Sequence, residues 1–268
     1  MPAGISCRKD HYMKRIIIIL VTVLLSCSLS QAQERELFNG KNLDGWYIFL
    51  KERGRNNDPK GVFTIVDGIL KISGEEWGCL TSNESFSDYK LVLEFKWGGK
   101  NHPPRDAKAR DSGLLIHSQG EDGAFGKTWM YSIEANIIEG GMGDFIVVGD
   151  KTDKFQITAK IAPEKCKGCG VWDPKGEPCT INAGRINWLG RDPDWSDTLN
   201  FRGKKDLDKP VGEWNRMEVT ASGGKLDVVF NGVLVNQAYN VKPSSGKIQI
   251  QSEAAEIYFR KIALTSLK

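Results

Sequence analysis

The stretch Trp129-Met130-Tyr131-Ser132-Ile133-Glu134-Ala135-Asn136-Ile137-Ile138-Glu139-Gly140-Gly141-Met142-Gly143-Asp144-Phe145 decides how the chain is read. Ser132, Glu134 and Asn136 alternate with Ile133, Ala135 and Ile137. A strand turns that period of two into one polar face and one apolar, core-facing face. Glu139 is out of phase. It joins Glu134 and Asn136 only if one extra residue, Ile137 or Ile138, is taken up as a β-bulge, a device that re-aims side chains beside active sites. Gly140, Gly141 and Gly143 then permit a sharp turn into the next strand.

The same signal recurs on both sides. Val62 to Val66 and Ile69 to Ser73 flank Asp67-Gly68, and Lys225 to Phe230 and Val233 to Gln237 flank Asn231-Gly232. Both dipeptides are two-residue hairpin signals, the second of type I′. Tyr89 to Trp97 sets Leu91, Leu93 and Phe95 against Lys90, Val92, Glu94 and Lys96. No segment carries a helix-length period of 3.6. About a dozen short strands joined by turns imply an all-β antiparallel sandwich or barrel. Gly98 to Asp111 and Lys51 to Lys60 read as polar loops, and Pro163 to Lys209 as an elaborated loop within one domain spanning 33–268. The two ends of that domain are expected to meet in one sheet.

The first 32 residues read as an export signal. Arg8, Lys9, Lys14 and Arg15 precede the apolar run Ile16 to Leu25, and Ser30-Gln31-Ala32 offers a small-x-small cleavage site. The run is too short to span a bilayer comfortably. Met13 is an alternative start, and Leu24-Leu25-Ser26-Cys27 an alternative lipoprotein box with Cys27 as anchor. The expected location is periplasmic or cell-surface. The net charge of +3 belongs to the leader, because 1–32 holds four Lys/Arg and one Asp, leaving 33 of each sign. Nucleic-acid binding thus has no electrostatic support. Cys79, Cys166, Cys169 and Cys179 remain beyond the leader. In an oxidising compartment disulfides are favoured over a zinc site, with three pairings open.

Glu134 and Glu139 are the candidate acid/base pair, since two carboxyls divide those roles when their surroundings separate their pKa values. His117 is the candidate proton carrier near neutral pH. Trp77, Trp129 and Tyr131 offer flat faces for sugar rings, and Lys96, Arg110, Asn136, Gln251 and Glu253 offer polar contacts to hydroxyls, Lys96 also to a ketone. No metal constellation, P-loop, dinucleotide fingerprint or nucleophile elbow is present.

Several strings carry a family resemblance: Leu37-Phe38-Asn39-Gly40-Lys41-Asn42-Leu43-Asp44-Gly45-Trp46, Asp111-Ser112-Gly113-Leu114-Leu115-Ile116-His117-Ser118, Asn231-Gly232-Val233-Leu234-Val235-Asn236 and Ile248-Gln249-Ile250-Gln251-Ser252-Glu253. Together with Gly212-Glu213-Trp214-Asn215 and Ile257-Tyr258-Phe259-Arg260-Lys261-Ile262 they resemble the 3-keto-disaccharide hydrolase domain family. The resemblance implies a concanavalin A-like jelly-roll of two antiparallel sheets and action on glycosides oxidised to a 3-ketone, with a carbohydrate as partner. It also implies a strand bearing Glu, an amide and an acid, matched by Glu134, Asn136 and Glu139. Elimination across C1–C2 of such a sugar needs a base, an enolate stabiliser and a leaving-group acid. His117 or Glu134 is expected as base, Lys96 or a divalent cation as stabiliser, and Glu139 as acid. The strand is also similar to the E-x-D-x-x-E strand of jelly-roll β-glucanases, with Asn136 at the central position. That keeps open retaining hydrolysis of a β-glucan, and a carbohydrate-binding module is a third reading.

Overall fold

A computed structural model describes residues 33–162 and 170–267. Among them there is no helix, and hence none long and apolar enough to cross a membrane. Eighteen strands follow in chain order. They are β1 (Glu34–Glu36), β2 (Trp46–Leu50), β3 (Gly54–Arg55), β4 (Phe63–Val66), β5 (Ile69–Ile72) and β6 (Gly78–Ser82). Next come β7 (Tyr89–Asn101), β8 (Asp111–Gln119), β9 (Tyr131–Ile138), β10 (Phe145–Val148), β11 (Gln156–Ile161) and β12 (Glu177–Ile181). The last are β13 (Gly184–Ile186), β14 (Asn215–Ser222), β15 (Lys225–Phe230), β16 (Val233–Lys242), β17 (Lys247–Ser252) and β18 (Ala255–Ser266).

One sheet runs β12-β11-β16-β15-β14-β7-β18-β5-β4, with β1 also paired to β18; the other runs β13-β10-β9-β8-β17-β6-β2-β3. Neighbouring strands within both sheets run antiparallel. This is the jelly-roll sandwich of concanavalin A-like proteins. The core lies between the sheets and takes the inward half of each alternating strand: Leu91, Leu93 and Phe95 from β7 meet Leu114, Ile116, Ile133, Ala135, Ile137 and Ile250. Burial of such side chains, at about 25 cal/mol per Å² of apolar area, drives assembly. The hairpins form where the sequence predicts, with left-handed backbone at Asp67, Gly68, Asn231 and Gly232 (φ 52°, 77°, 46° and 85°).

The region 163–209 is more than a loop. It supplies β12 to the edge of the ten-stranded sheet and β13 to the edge of the eight-stranded sheet. Both strands are short and largely polar, so their pairing comes from the neighbouring edges rather than from an apolar period of their own. The Gly98 to Asp111 loop is also shorter than expected, because β7 continues to Asn101.

Cys79 and Cys179 are unpaired, the first buried on β6 and the second on β12. Cys166 and Cys169, like the leader, lie outside the described residues.

Candidate functional site

The outward face of the eight-stranded sheet carries the polar half of β9. Ile133, Ala135 and Ile137 belong to the core, so Ser132, Glu134 and Asn136 point the other way. Covering segments nevertheless bury Glu134 and Asn136 to 4% and 2% exposure. Register sets their neighbours: Glu134 stands opposite Leu115, Asn136 opposite Gly113, and Ile138 opposite Asp111 on β8. Gln249 stands opposite Leu115 from the far side, which brings β17 and its Gln251 into the same patch.

Gly113 is the space that lets this patch converge. A Cβ there would lie 2.4 Å from both Gln251 Oε1 and Glu134 Oε1, inside any real contact distance. Asn136 Nδ2 donates to Glu134 Oε1 at 2.6 Å and reaches Asp111 Oδ1 at 3.5 Å. Gln251 Oε1 and Asn136 Oδ1 are buried acceptors without a protein donor.

Three carboxyls share the patch. Burial pushes Glu134 up to about 7, with the charge of Asp111 adding to the rise and Asn136 opposing it. Burial also raises Asp111 above the usual carboxylate range, opposed by Arg105. Glu253, at the end of β17, is pushed well above its usual value by burial and by Asp111 and Glu134. Acids held this close in a low-dielectric setting cannot all ionise. Arg105 Nη2 lies 3.0 Å from Asp111 Oδ2, which favours Asp111 as the anion of the set. Arg185 on β13 feels the charges of Glu134 and Asp111 and donates to Asp144 at 2.8 Å. Asp144 is fully buried and is paired with Arg191 as well, at 2.9 Å.

Beside the acids lies a smaller apolar cluster of Cys79, Leu115, Trp129 and Val148, with Phe49, Trp77 and Ile146 against it. Trp77 and Trp129 stack with centroids 6.2 Å apart. Burial pushes the Cys79 thiol up to about 12, so it stays protonated and unreactive. Gln249 Nε2 donates to its sulfur at 3.1 Å.

The structure thus brings together Glu134, Asn136, Gln251, Glu253, Trp77 and Trp129 among the expected site residues, and separates five others from them. Glu139 lies beyond the end of β9, which pairs in regular register through Ile138, so no bulge carries it to Glu134. Its carboxylate is already used: Oε1 accepts from Arg110 Nη1 at 2.5 Å, and Oε2 from the backbone N–H of Arg110 and Asn200 at 2.9 and 3.1 Å. Arg110 is consumed by the same clip, with Nη1 also 2.8 Å from Asn200 Oδ1.

The bulge occurs instead on β8, between Ile116 and Gln119. His117 there has φ 54°, and its ring turns to the core, edge-on to Tyr89 at 5.8 Å. Its Nδ1 donates to the carbonyl of Pro243 at 2.8 Å, which puts the proton of a neutral ring on Nδ1. Burial lowers its pKa to about 4. His117 is therefore a structural imidazole rather than a proton carrier at neutral pH.

Lys96 lies on β7 in the other sheet, its ammonium over Trp214 and Tyr258 at 4.9 and 5.6 Å. Tyr131 is in core phase and packs on Phe155 at 5.4 Å. Asp111, Gly113, Arg105 and Arg185 were not singled out from the sequence. Among the described residues no group of three or more His, Cys, Asp or Glu side chains converges so as to hold a metal ion.

Buried acids thus lie on the outer face of the jelly-roll sandwich with tryptophans beside them, an arrangement that fits a carbohydrate-active protein. The family is more specific. The model of the 3-keto-alpha-glucoside-1,2-lyase-like domain matches residues 33–265, and the chain belongs to that family. Among solved structures it is similar to a candidate glycosyl hydrolase from Parabacteroides distasonis, at 18% identity and TM-score 0.52, covering 88% of this chain and 100% of that one. A second candidate glycosyl hydrolase structure from that organism gives 18% identity and TM-score 0.51 over 88% and 94%. At these identities the likeness is one of fold. No curated protein matches the chain.

Proposed function

We propose that the domain cleaves glycosides whose sugar carries a ketone at C3, by removing the proton at C2 and expelling the C1 substituent. The observation that carries this reading is the Glu134 carboxyl, buried over Gly113 and titrating near neutrality beside Asp111 and Glu253. A C3 ketone acidifies the C2 hydrogen, and a base is most effective when its pKa lies near the working pH. Glu134, ionised as the pH reaches and passes about 7, takes that proton while Glu253 keeps its own. The C1–O bond breaks, a C1=C2 double bond forms, and the leaving oxygen receives the proton that Glu253 retains. Water adding to the double bond then completes a net hydrolysis. Arg105 and Arg185 place positive charge beside the acids as negative charge grows on the ketone oxygen. The amides of Asn136 and Gln251 orient the ring.

A retaining mechanism on an unoxidised glucan needs two carboxyls roughly 5 to 5.5 Å apart. Glu139, the sequence candidate for the second, is engaged by Arg110 and Asn200, which weighs against that route. The test offers a 3-keto-glucoside, its parent glucoside and a β-glucan. Turnover of the first alone is expected, with wash-in of solvent deuterium at C2. Comparable cleavage of the parent would overturn the keto-specific reading, and binding of all three without turnover would favour a binding module. We further propose that the chain is exported, with 1–32 as its leader. N-terminal sequencing of the cell-derived protein is expected to begin at Gln33, and an acylated Cys27 would replace that with a lipid anchor.

A further inference from the structure

A cleft of about 610 Å³, a size typical of small-molecule sites, opens at Trp77. It is lined by Lys51, Arg53, Glu76, Trp77, Pro103 and Pro104, with Glu52 and Glu75 also on it. Both walls are tied to the chain around Glu253. On one side Ser252 stands opposite Gly78, which places Trp77 next to Glu253 across the β17–β6 ladder, and Ser252 Oγ donates to the carbonyl of Glu76 at 2.7 Å. On the other, the N–H of His102, just before the two prolines, donates to the carbonyl of Ala254 at 2.7 Å. The chain segment Ser252 to Ala254, with Glu253 at its centre, thus joins the two walls.

The wall chemistry is distinctive. Its flat surfaces are an indole and two pyrrolidine rings, and Trp77 is backed by Trp129. Its central polar groups are spent on each other: Arg53 Nε and Nη2 donate to Glu76 at 2.5 and 2.7 Å, and Lys60 lies 3.0 Å from the same carboxylate. Arg53 holds the Glu76 carboxyl down at about 2, so the pair stays charged and closed over the working range. Lys51 sits over the Trp77 ring at 5.9 Å. With Arg53, Glu76 and Lys60 engaged with one another, the ring faces of Trp77, Pro103 and Pro104 are the surfaces on which a planar apolar group can stack.

We infer that this cleft is the leaving-group subsite and that it selects aglycones with an aromatic ring. The inference rests on the proposed cleavage reaction, and its test separates the two. Benzyl, cyclohexylmethyl and methyl 3-keto-glucosides release alcohols of similar acidity, so differences in KM report the fit of the aglycone. The expected result is a KM for the benzyl compound about tenfold below that of the other two, the size of one aromatic stacking contact. In Trp77→Ala the ratio falls to about one, and in Trp77→Phe most of it returns. Equal KM values for benzyl and methyl compounds in the wild type would overturn the subsite, as would a benzyl preference untouched in a folded Trp77→Ala. Binding of the unoxidised benzyl and methyl glucosides, measured by calorimetry, reads the cleft without turnover. A benzyl preference in binding with no cleavage of any 3-keto-glucoside would sustain the subsite and sink the reaction. Cleavage without a benzyl preference would do the reverse.

Discussion

Replacing Glu134 by Gln tests the central electrostatic argument without any substrate. The side chain keeps its shape and can still accept from Asn136, but it can no longer ionise. A carboxyl whose folded pKa is raised contributes stability that is fully present below its unfolded value and lost as pH rises through the folded one. Here the window runs from 4.5 to about 7. A displacement of that size forfeits about 3 kcal/mol once the pH is well above 7. At pH 4 the acid is protonated in both states, and Gln is expected to be close to neutral. At pH 8.5 the variant is expected to gain about 3 kcal/mol on the wild type relative to pH 4, or about 6 to 12 °C in Tm for a domain this size. His117 has the opposite sign, so wild-type stability alone would mix the two, and the difference between variant and wild type removes the His117 contribution and reads Glu134 with the acids it acts on. Urea unfolding of both proteins at pH 4, 6 and 8.5 reads it directly. A stability difference that does not change with pH would show that the surroundings do not raise Glu134 towards neutrality, and the case for a base matched to neutral pH would fall.

Gly113→Ala puts a methyl group 2.4 Å from two side-chain oxygens. It is expected to cost about 1 to 3 kcal/mol and to displace Glu134, cutting kcat on the keto substrate far more than KM; unchanged kcat would remove Gly113 from the argument. Arg110→Met leaves the buried Glu139 carboxylate without its cation and is expected to destabilise by about 3 to 5 kcal/mol, with Glu139→Gln recovering part of the loss in the double variant when both are followed by denaturant melts. Imidazole NMR should find the His117 ring neutral down to about pH 5, with its stabilising contribution lost as pH falls from 6.5 towards 4; a titration near 6.5 would refute its burial against Tyr89.

Much of the sandwich is legible in the sequence because its outer and inner faces alternate over many residues. The Asp-Gly and Asn-Gly hairpins are legible because two positive φ values demand particular residues there. What alternation cannot reveal is where it breaks. His117 reads as outward by parity with Leu115, yet the bulge at Ile116 to Gln119 turns it inward, and nothing local in that string announces the extra residue. Glu139 reads as a free acid because its neutralising partner, Arg110, is 29 residues away. The site itself was half visible: Glu134 and Asn136 share one strand, but Asp111, Arg105 and Arg185 arrive from other strands and loops. One signal was available. Gly113, in a strand where an outward side chain is due, marks a place where something else approaches the backbone.

The excursion through 163–209 also bears on how this domain can be altered. By contributing β12 to one sheet and β13 to the other, a single length of chain covers β11 in the first and β10 in the second. Shortening it as if it were a loop would strip two borders at once, baring the backbone amides and carbonyls of Gln156–Ile161 and Phe145–Val148 to pairing with another molecule. It would also remove Arg185 from beside Glu134. Solubility and reactivity are therefore carried by the same stretch, and a trimmed or grafted version must replace both edges before its activity can be judged.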